Sequence, residues 1–211
     1  MAQTDINQMD ANGERDGVWK KTYPGTTQIR YEGQFDHGKE VGTFKYYCQE
    51  CGNKPTIVKE FDPDNNLAKV QYFTIKGKLV SEGKMKGEML VGEWLFFHKK
   101  SKEVMTREFY EDGKLEGKKT VYYPNGKITE EINYIKGLAE GENNYYSPDG
   151  VLLKKLLYKN DVLEGPAFYY DAKGKLLIEG QYKKGKKDGV WKYYKNGILE
   201  KEEIYPKPLK N

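Results

Sequence analysis

The stretch GVWKYYKNGILEKEEIY, residues 189–205, decides the fold. Residues 190–194 and 198–205 are rich in β-branched and aromatic side chains, and between them stand Lys195, Asn196 and Gly197. Asn and Gly both tolerate positive φ, so Asn-Gly between two such runs predicts a β-hairpin. The opening of the stretch returns as GTFKYY from Gly42, GEWLFF from Gly92 and GPAFYY from Gly165.

Taking that first glycine as a marker, the copies begin at Gly17, Gly42, Gly92, Gly117, Gly141, Gly165 and Gly189, with Ala68 in the remaining slot. Successive copies are 24 to 26 residues apart. A fixed period in this range identifies a repeat array, in which each unit buries its apolar face against its neighbours. Counting from the marker, offsets 2 and 4 are usually large, as in Trp19, Phe44 with Tyr46, Trp94 with Phe96, and Trp191 with Tyr193. Side chains alternate along a strand, so these two offsets share a face and are expected to be buried. A turn follows, written Asn125-Gly126, Asp149-Gly150, Lys173-Gly174 or Asn196-Gly197.

The second strand carries Glu32-Gly33-Gln34-Phe35, Glu82-Gly83-Lys84-Met85 and Glu179-Gly180-Gln181-Tyr182. Glycine in mid-strand is unfavourable unless another group needs its space, which predicts an aromatic ring packed across from a neighbouring strand. Two strands per repeat and eight repeats predict an all-β, elongated, curled antiparallel meander of about eight tandem β-hairpins. The expected organisation is a disordered or extended segment over residues 1–12, one array over 13–205 and a tail over 206–211.

Tyr31-Glu32-Gly33-Gln34-Phe35, then Gly38, then Gly42-Thr43-Phe44-Lys45-Tyr46-Tyr47 resembles a MORN repeat. The copies most resemble the bacterial variant found in YwqK-family antitoxins. That resemblance implies stacked hairpins and a non-enzymatic role as a protein-binding scaffold, with an immunity or antitoxin-type function in the bacterial variant. The pattern is broken by the insertion at residues 48–55, by Ala68, and by the missing aromatic at offset 2 of that copy.

Chemistry-bearing residues are few. His37 and His98 stand in different repeats, with no nucleophile, base and orienting group in evident company. Glu32, Glu82, Glu131 and Glu179 recur with the period, and a residue present in nearly every copy is structural, whereas an active site requires asymmetry. No glycine-rich phosphate loop opens a helix. The expectation is a protein that is not an enzyme and uses no cofactor. Cys48-x-x-Cys51 supplies two of the four ligands a structural zinc site needs, so no metal is expected. The pair is read as a hairpin loop, closed by a disulfide in an oxidising compartment or left as two thiols otherwise.

Candidate binding residues are the second aromatics of the first strands, Tyr47, Phe73, Phe97, Tyr123, Tyr146, Tyr170 and Tyr194, which would form a ladder if the copies stack in register. A surface ladder of this kind suits a protein partner, because tyrosine supplies contact area at small entropic cost. The alternatives are an envelope module that binds cell-wall glycan or lipid headgroups, and a ladder that only stabilises the sheet through cross-strand pairs. The run Lys183-Lys184-Gly185-Lys186-Lys187 reads as a solvated turn. Lys and Arg number 36 against 32 Asp and Glu, a charge of +4 spread evenly, which argues against a nucleic-acid partner.

No apolar run approaches the roughly 18 residues of a membrane span. The polar start, with Ala2-Gln3 resembling the flank of a signal-peptidase cut, points to a periplasmic or extracellular protein, with the cytoplasm as the alternative. Open terminal strands predict edge-to-edge homodimers unless Pro206 and Pro208 blunt the last edge.

Overall fold

The computed structural model describes residues 5–207 of the 211-residue chain. Ala2-Gln3 and Pro208 lie outside the described residues. The chain divides into two compact units, Met1–Lys102 and Glu103–Asn211. Where the period suggests one array over 13–205, the division falls inside the repeat that begins at Gly92. All regular structure among the described residues is antiparallel β.

In the first unit β1 (Gln8–Met9) pairs with β2 (Arg15–Thr22), and the chain then meanders through β3 (Ile29–Asp36), β4 (Lys39–Tyr46), β5 (Ile57–Phe61), β6 (Leu67–Phe73), β7 (Leu79–Lys86) and β8 (Met89–Phe97). From β2 onward each strand pairs with the next. The second unit repeats the plan. Its strands are β9 (Val104–Glu111), β10 (Lys114–Leu115), β11 (Gly117–Tyr122), β12 (Ile128–Ile135), β13 (Leu138–Tyr146), β14 (Leu152–Lys159), β15 (Val162–Leu163), β16 (Gly165–Tyr170), β17 (Leu176–Lys183), β18 (Lys186–Lys195) and β19 (Ile198–Tyr205). The two short strands β10 and β15 are the first steps of β11 and β16, separated from them at Glu116 and Glu164.

The mid-strand glycines explain the packing. A Cβ on Gly33 would sit 2.5 Å from the Phe44 ring, one on Gly83 2.4 Å from Trp94, and one on Gly180 2.3 Å from Trp191. Each ring therefore lies on bare backbone. The Trp94 indole N–H also donates to the Lys84 carbonyl at 2.9 Å, and that of Trp191 to Gln181 at 3.1 Å, so the polar edge of each buried indole is satisfied. Phe44, Trp94 and Trp191 are almost fully buried, and Phe35 stands edge-on to both Trp19 and Phe44.

The marker glycines have a different reason. Along β3 and β4 the register runs Glu32↔Lys45 and then Gln34↔Val41, so Gly42, Thr43 and Phe44 together face the single residue Gly33. The same three-to-one bulge faces Gly83 in β7–β8 and Gly180 in β17–β18. It brings the ring over the glycine, and its first residue turns to positive φ, 63° at Gly42, a conformation that suits glycine. Ala68 occupies this slot without strain because β5 and β6 pair with no register shift.

The hairpin tips are braced from one repeat to the next. Glu116 accepts from the Lys136 backbone N–H at 2.7 Å, Glu140 from Asn160 at 2.9 Å, and Glu164 from Lys184 at 2.7 Å. At the start of the chain Asn7 N–H bonds the Val18 carbonyl, and the Trp19 indole donates to Gln8 O at 3.0 Å. Residues of the N-terminal segment thus cover the free edge of β2.

The stack predicts a non-additive mutant cycle. Gly180→Ala should destabilise the protein by about 1–3 kcal/mol through overpacking, and Trp191→Ala by about 3–5 kcal/mol through the cavity. The double variant should cost clearly less than the sum of the two, because the added methyl then enters vacated space. Denaturant midpoints with additive losses would contradict the ring-on-glycine contact.

Candidate functional site

The expected ladder does not form one exposed row. Tyr47 is buried, at 7 % exposure, and Phe73, Phe97, Tyr123, Tyr146, Tyr170 and Tyr194 are half-buried. Tyr47 donates to Glu32 at 2.6 Å, Tyr146 to Glu131 at 3.2 Å and Tyr194 to Glu179 at 2.7 Å. The same carboxylates hold Lys20, Lys118 and Lys192 at 3.6, 3.1 and 3.5 Å. Burial and the neighbouring carboxylate push the Tyr47 phenol well above its ordinary range, and the Glu179 bond raises Tyr194. These phenols stay neutral donors that tie one hairpin to the next. Tyr123 falls out of register: Tyr122 occupies the fifth offset, while Tyr123 begins the turn and donates to the Tyr146 carbonyl at 2.9 Å.

The opposite face, the one that carries the glycine-stacked rings, departs from the repeat in the second unit. Across its strands the central positions run Lys119, Ile132, Asn143, Leu156, Ala167 and Gly180. Lys119 is bonded to Glu108 at 2.8 Å, and Tyr110 donates to the other oxygen of Glu108 at 2.6 Å. Asn143 is fully buried; its Nδ2 donates to Glu130 at 2.8 Å, and its Oδ1 has no protein partner among the described residues. Burial opposes the charge on Lys119, yet the Glu108 carboxylate outweighs it and holds the ammonium above the usual lysine value. Burial, then the Glu130 carboxylate, likewise raises the Tyr145 phenol.

On the same face Tyr110, Tyr134, Tyr158 and Tyr182 recur every 24 residues. Each lies two residues from a central position on its strand, so the four share one side of the sheet. Neighbouring strands are about 4.8 Å apart, which spaces the row at about 10 Å per hairpin. Its sequence signal is the plain 24-residue recurrence of Tyr on second strands. At the far end, the Lys187 ammonium sits 4.1 Å from the Trp191 ring centre and 5.0 Å from that of Tyr205, a stacked cation at the foot of the last hairpin. Glu203 accepts from Tyr205 at 2.5 Å and Tyr193 at 3.2 Å and pairs with Lys201 at 3.0 Å. The Tyr205 bond and then the Lys201 contact lower the Glu203 carboxyl to about 2.

In the first unit, Cys48 and Cys51 are joined by a disulfide that closes the loop between β4 and β5. Neighbouring turns grip this loop: Tyr23 donates to the Tyr47 carbonyl at 2.7 Å and Gln28 to the Gly52 carbonyl at 2.8 Å. The insertion is thereby absorbed without displacing the strands. His37 bonds Asp10 at 2.6 Å, which raises the imidazole and lowers the carboxyl. No group of three or more His, Cys, Asp or Glu among the described residues is arranged to hold a metal ion. The longer turn at residues 62–66 leaves a groove of about 800 Å³, floored by Phe61 and Val41 and rimmed by Asp36, Lys39, Asp62 and Lys86. No residue of the expected ladder lines it. No helix among the described residues is long and apolar enough to cross a membrane.

Hairpins of one period, a bulge that sets a ring on a glycine and carboxylate-braced tips define a tandem β-hairpin repeat array. Residues 102–121, 115–136, 139–160 and 163–184 match the family described as MORN repeat variant, four tandem positions that support a MORN-repeat protein. No curated protein matches the chain. The first unit, outside these matches, has the same bulge and the same ring-on-glycine contact at Gly33 and Gly83.

The Glu203 cluster predicts a titration. Its contribution to stability is present above the ordinary glutamate value of 4.5 and is lost as pH falls from there through about 2. The carboxyl-carbon resonance of Glu203 should titrate near the lower value, and Tyr205→Phe should move it upward. An unchanged midpoint in that variant would rule out the phenol as the main cause.

Proposed function

We propose that this chain is a non-enzymatic protein-binding array whose partner lies on the ring-bearing face of the second unit. The observation that supports this reading is the polar departure at Glu108, Lys119, Glu130 and Asn143 within an otherwise repeating scaffold. The Tyr–Glu–Lys bridge recurs at Tyr47, Tyr146 and Tyr194, whereas a recognition surface requires chemistry that does not repeat. Here half-buried rings stand beside held charges of both signs, the mixture of apolar contact and fixed hydrogen-bonding groups that protein interfaces use. Lys119 and Glu108 neutralise one another, which leaves no activated base or nucleophile at the centre.

The immunity or antitoxin-type role implied by the bacterial variant is one form of this interaction, with a toxin protein as the partner. A periplasmic or extracellular setting agrees with the Cys48–Cys51 disulfide, since such bonds persist in oxidising compartments. A second reading, binding of cell-wall glycan or lipid headgroups, is favoured by the row of Tyr110, Tyr134, Tyr158 and Tyr182, whose spacing presents rings at regular intervals to an extended ligand.

Affinity capture from a source-cell lysate, followed by binding measurements with the purified partner, tests the proposal. The variant Tyr134→Ser/Tyr158→Ser should lower the unfolding temperature, keep the β-sheet circular-dichroism spectrum of the folded chain and lose at least tenfold in affinity. Tyr146→Phe, on the opposite face, should bind as the wild type does. Retention on insoluble polysaccharide or co-sedimentation with anionic vesicles, lost in the same double variant, would overturn the protein-partner reading in favour of the second.

A further inference from the structure

The two ends of the chain treat their sheet edges differently. At the start, β1 and Asn7 cover the outer edge of β2. At the end, β19 pairs only with β18 among the described residues. β19 is eight residues long, contains no proline, and exposes Ile198 at 73 % and Ile204 at 69 %. Pro206 comes after its last residue. An uncovered edge of this length is a template for another strand.

We propose that β19 pairs antiparallel with β19 of a second copy of this chain, with Glu202 on the two-fold axis. Two identical antiparallel strands related by a two-fold axis normal to the sheet place one residue opposite itself, and opposed residues lie on the same face. Charge then selects the register. With Lys201 on the axis, lysine faces lysine. With Glu203 on the axis, Lys201 gains no acidic partner and two carboxylates oppose each other. With Glu202 on the axis, Lys201 faces the partner's Glu203, and the reciprocal pair forms across the axis.

The pairing extends from Lys201 to Glu203, beyond the bulge that leaves Glu200 without a partner on β18. The one unfavourable pair is Glu202 with itself. Lys192 stands directly opposite Glu202 within each copy, which places a cation beside each of these carboxylates. Glu203 is already drawn towards its charged form by Tyr205 and Lys201, so the acceptor in the new pair is prepared in the free chain. Because the axis is normal to the sheet, the ring-bearing faces of the paired second units point to the same side. The pairing does not depend on the ring-face reading of function.

Sedimentation equilibrium tests the assembly and cysteine cross-linking its register. The wild type should shift with concentration from 24.5 kDa to twice that mass. Glu202→Cys should form a 202–202 disulfide under mild oxidation, identified by peptide mapping beside the intact Cys48–Cys51 bond, while Lys201→Cys should not cross-link with itself. Tyr134→Ser/Tyr158→Ser should assemble as the wild type does, which keeps this test separate from that of the binding face. A protein that stays at monomer mass at all concentrations, a dimer in which Glu202→Cys fails to cross-link, or self-linkage through Lys201→Cys would each overturn the proposal.

Discussion

The architecture depends on one contact, an aromatic ring laid on the bare backbone of a mid-strand glycine. It determines why glycine occupies positions 33, 83 and 180, and why a bulge must precede Phe44, Trp94 and Trp191 to lift the ring into place. It also links one repeat to the next, since each glycine belongs to one repeat and its ring to the following one. Where the ring is absent, the volume is exchanged rather than lost. Ile132 and Leu156 fill the glycine positions and face the smaller Asn143 and Ala167, all four well buried. Close packing in a single layer allows this trade because the sum across neighbouring strands is what must stay constant.

The remaining polar groups follow from the alternation of faces. On one side, Tyr, Glu and Lys from consecutive strands bond to each other and hold the hairpins in register. On the other, the rings exclude water from the centre while hydroxyl and carboxylate groups finish the margins. The second unit departs from this scheme where Lys119 and Asn143 replace rings and Glu108 replaces a glycine, and the proposed recognition surface lies there for that reason.

Much of this was legible beforehand, because it recurs. The hairpins, the burial of the second offset and the purpose of Gly180 can all be read from spacing and residue size, whereas the fourth offset, at Tyr46, Phe96 and Tyr193, is only half-buried. The bulges are not legible, since two extra residues in a strand leave no mark on a period already near 24. Tyr123 stands one place beyond the fifth offset from Gly117, which is Tyr122, and the burial of the expected row follows from bonds that no spacing displays. The Tyr47 and Tyr194 bonds to Glu32 and Glu179 bridge fifteen residues, a separation that only the pairing of strands brings together. The row from Tyr110 to Tyr182 is legible as a plain 24-residue recurrence of Tyr on second strands. The Glu108–Lys119 pair has no repeated counterpart and so no pattern to betray it.

Three carboxylate braces at the hairpin tips point forward along the chain, and a fourth, Asp161, reaches back to the Ala139 N–H at 2.7 Å. Glu116, Glu140 and Glu164 each reach forward to a turn some twenty residues later. For the three forward braces, a chain leaving the ribosome from its N-terminus has the acceptor in place before the amide it organises has emerged. Over that stretch assembly can advance hairpin by hairpin in the order of synthesis, each completed repeat serving as the mould for the one that follows.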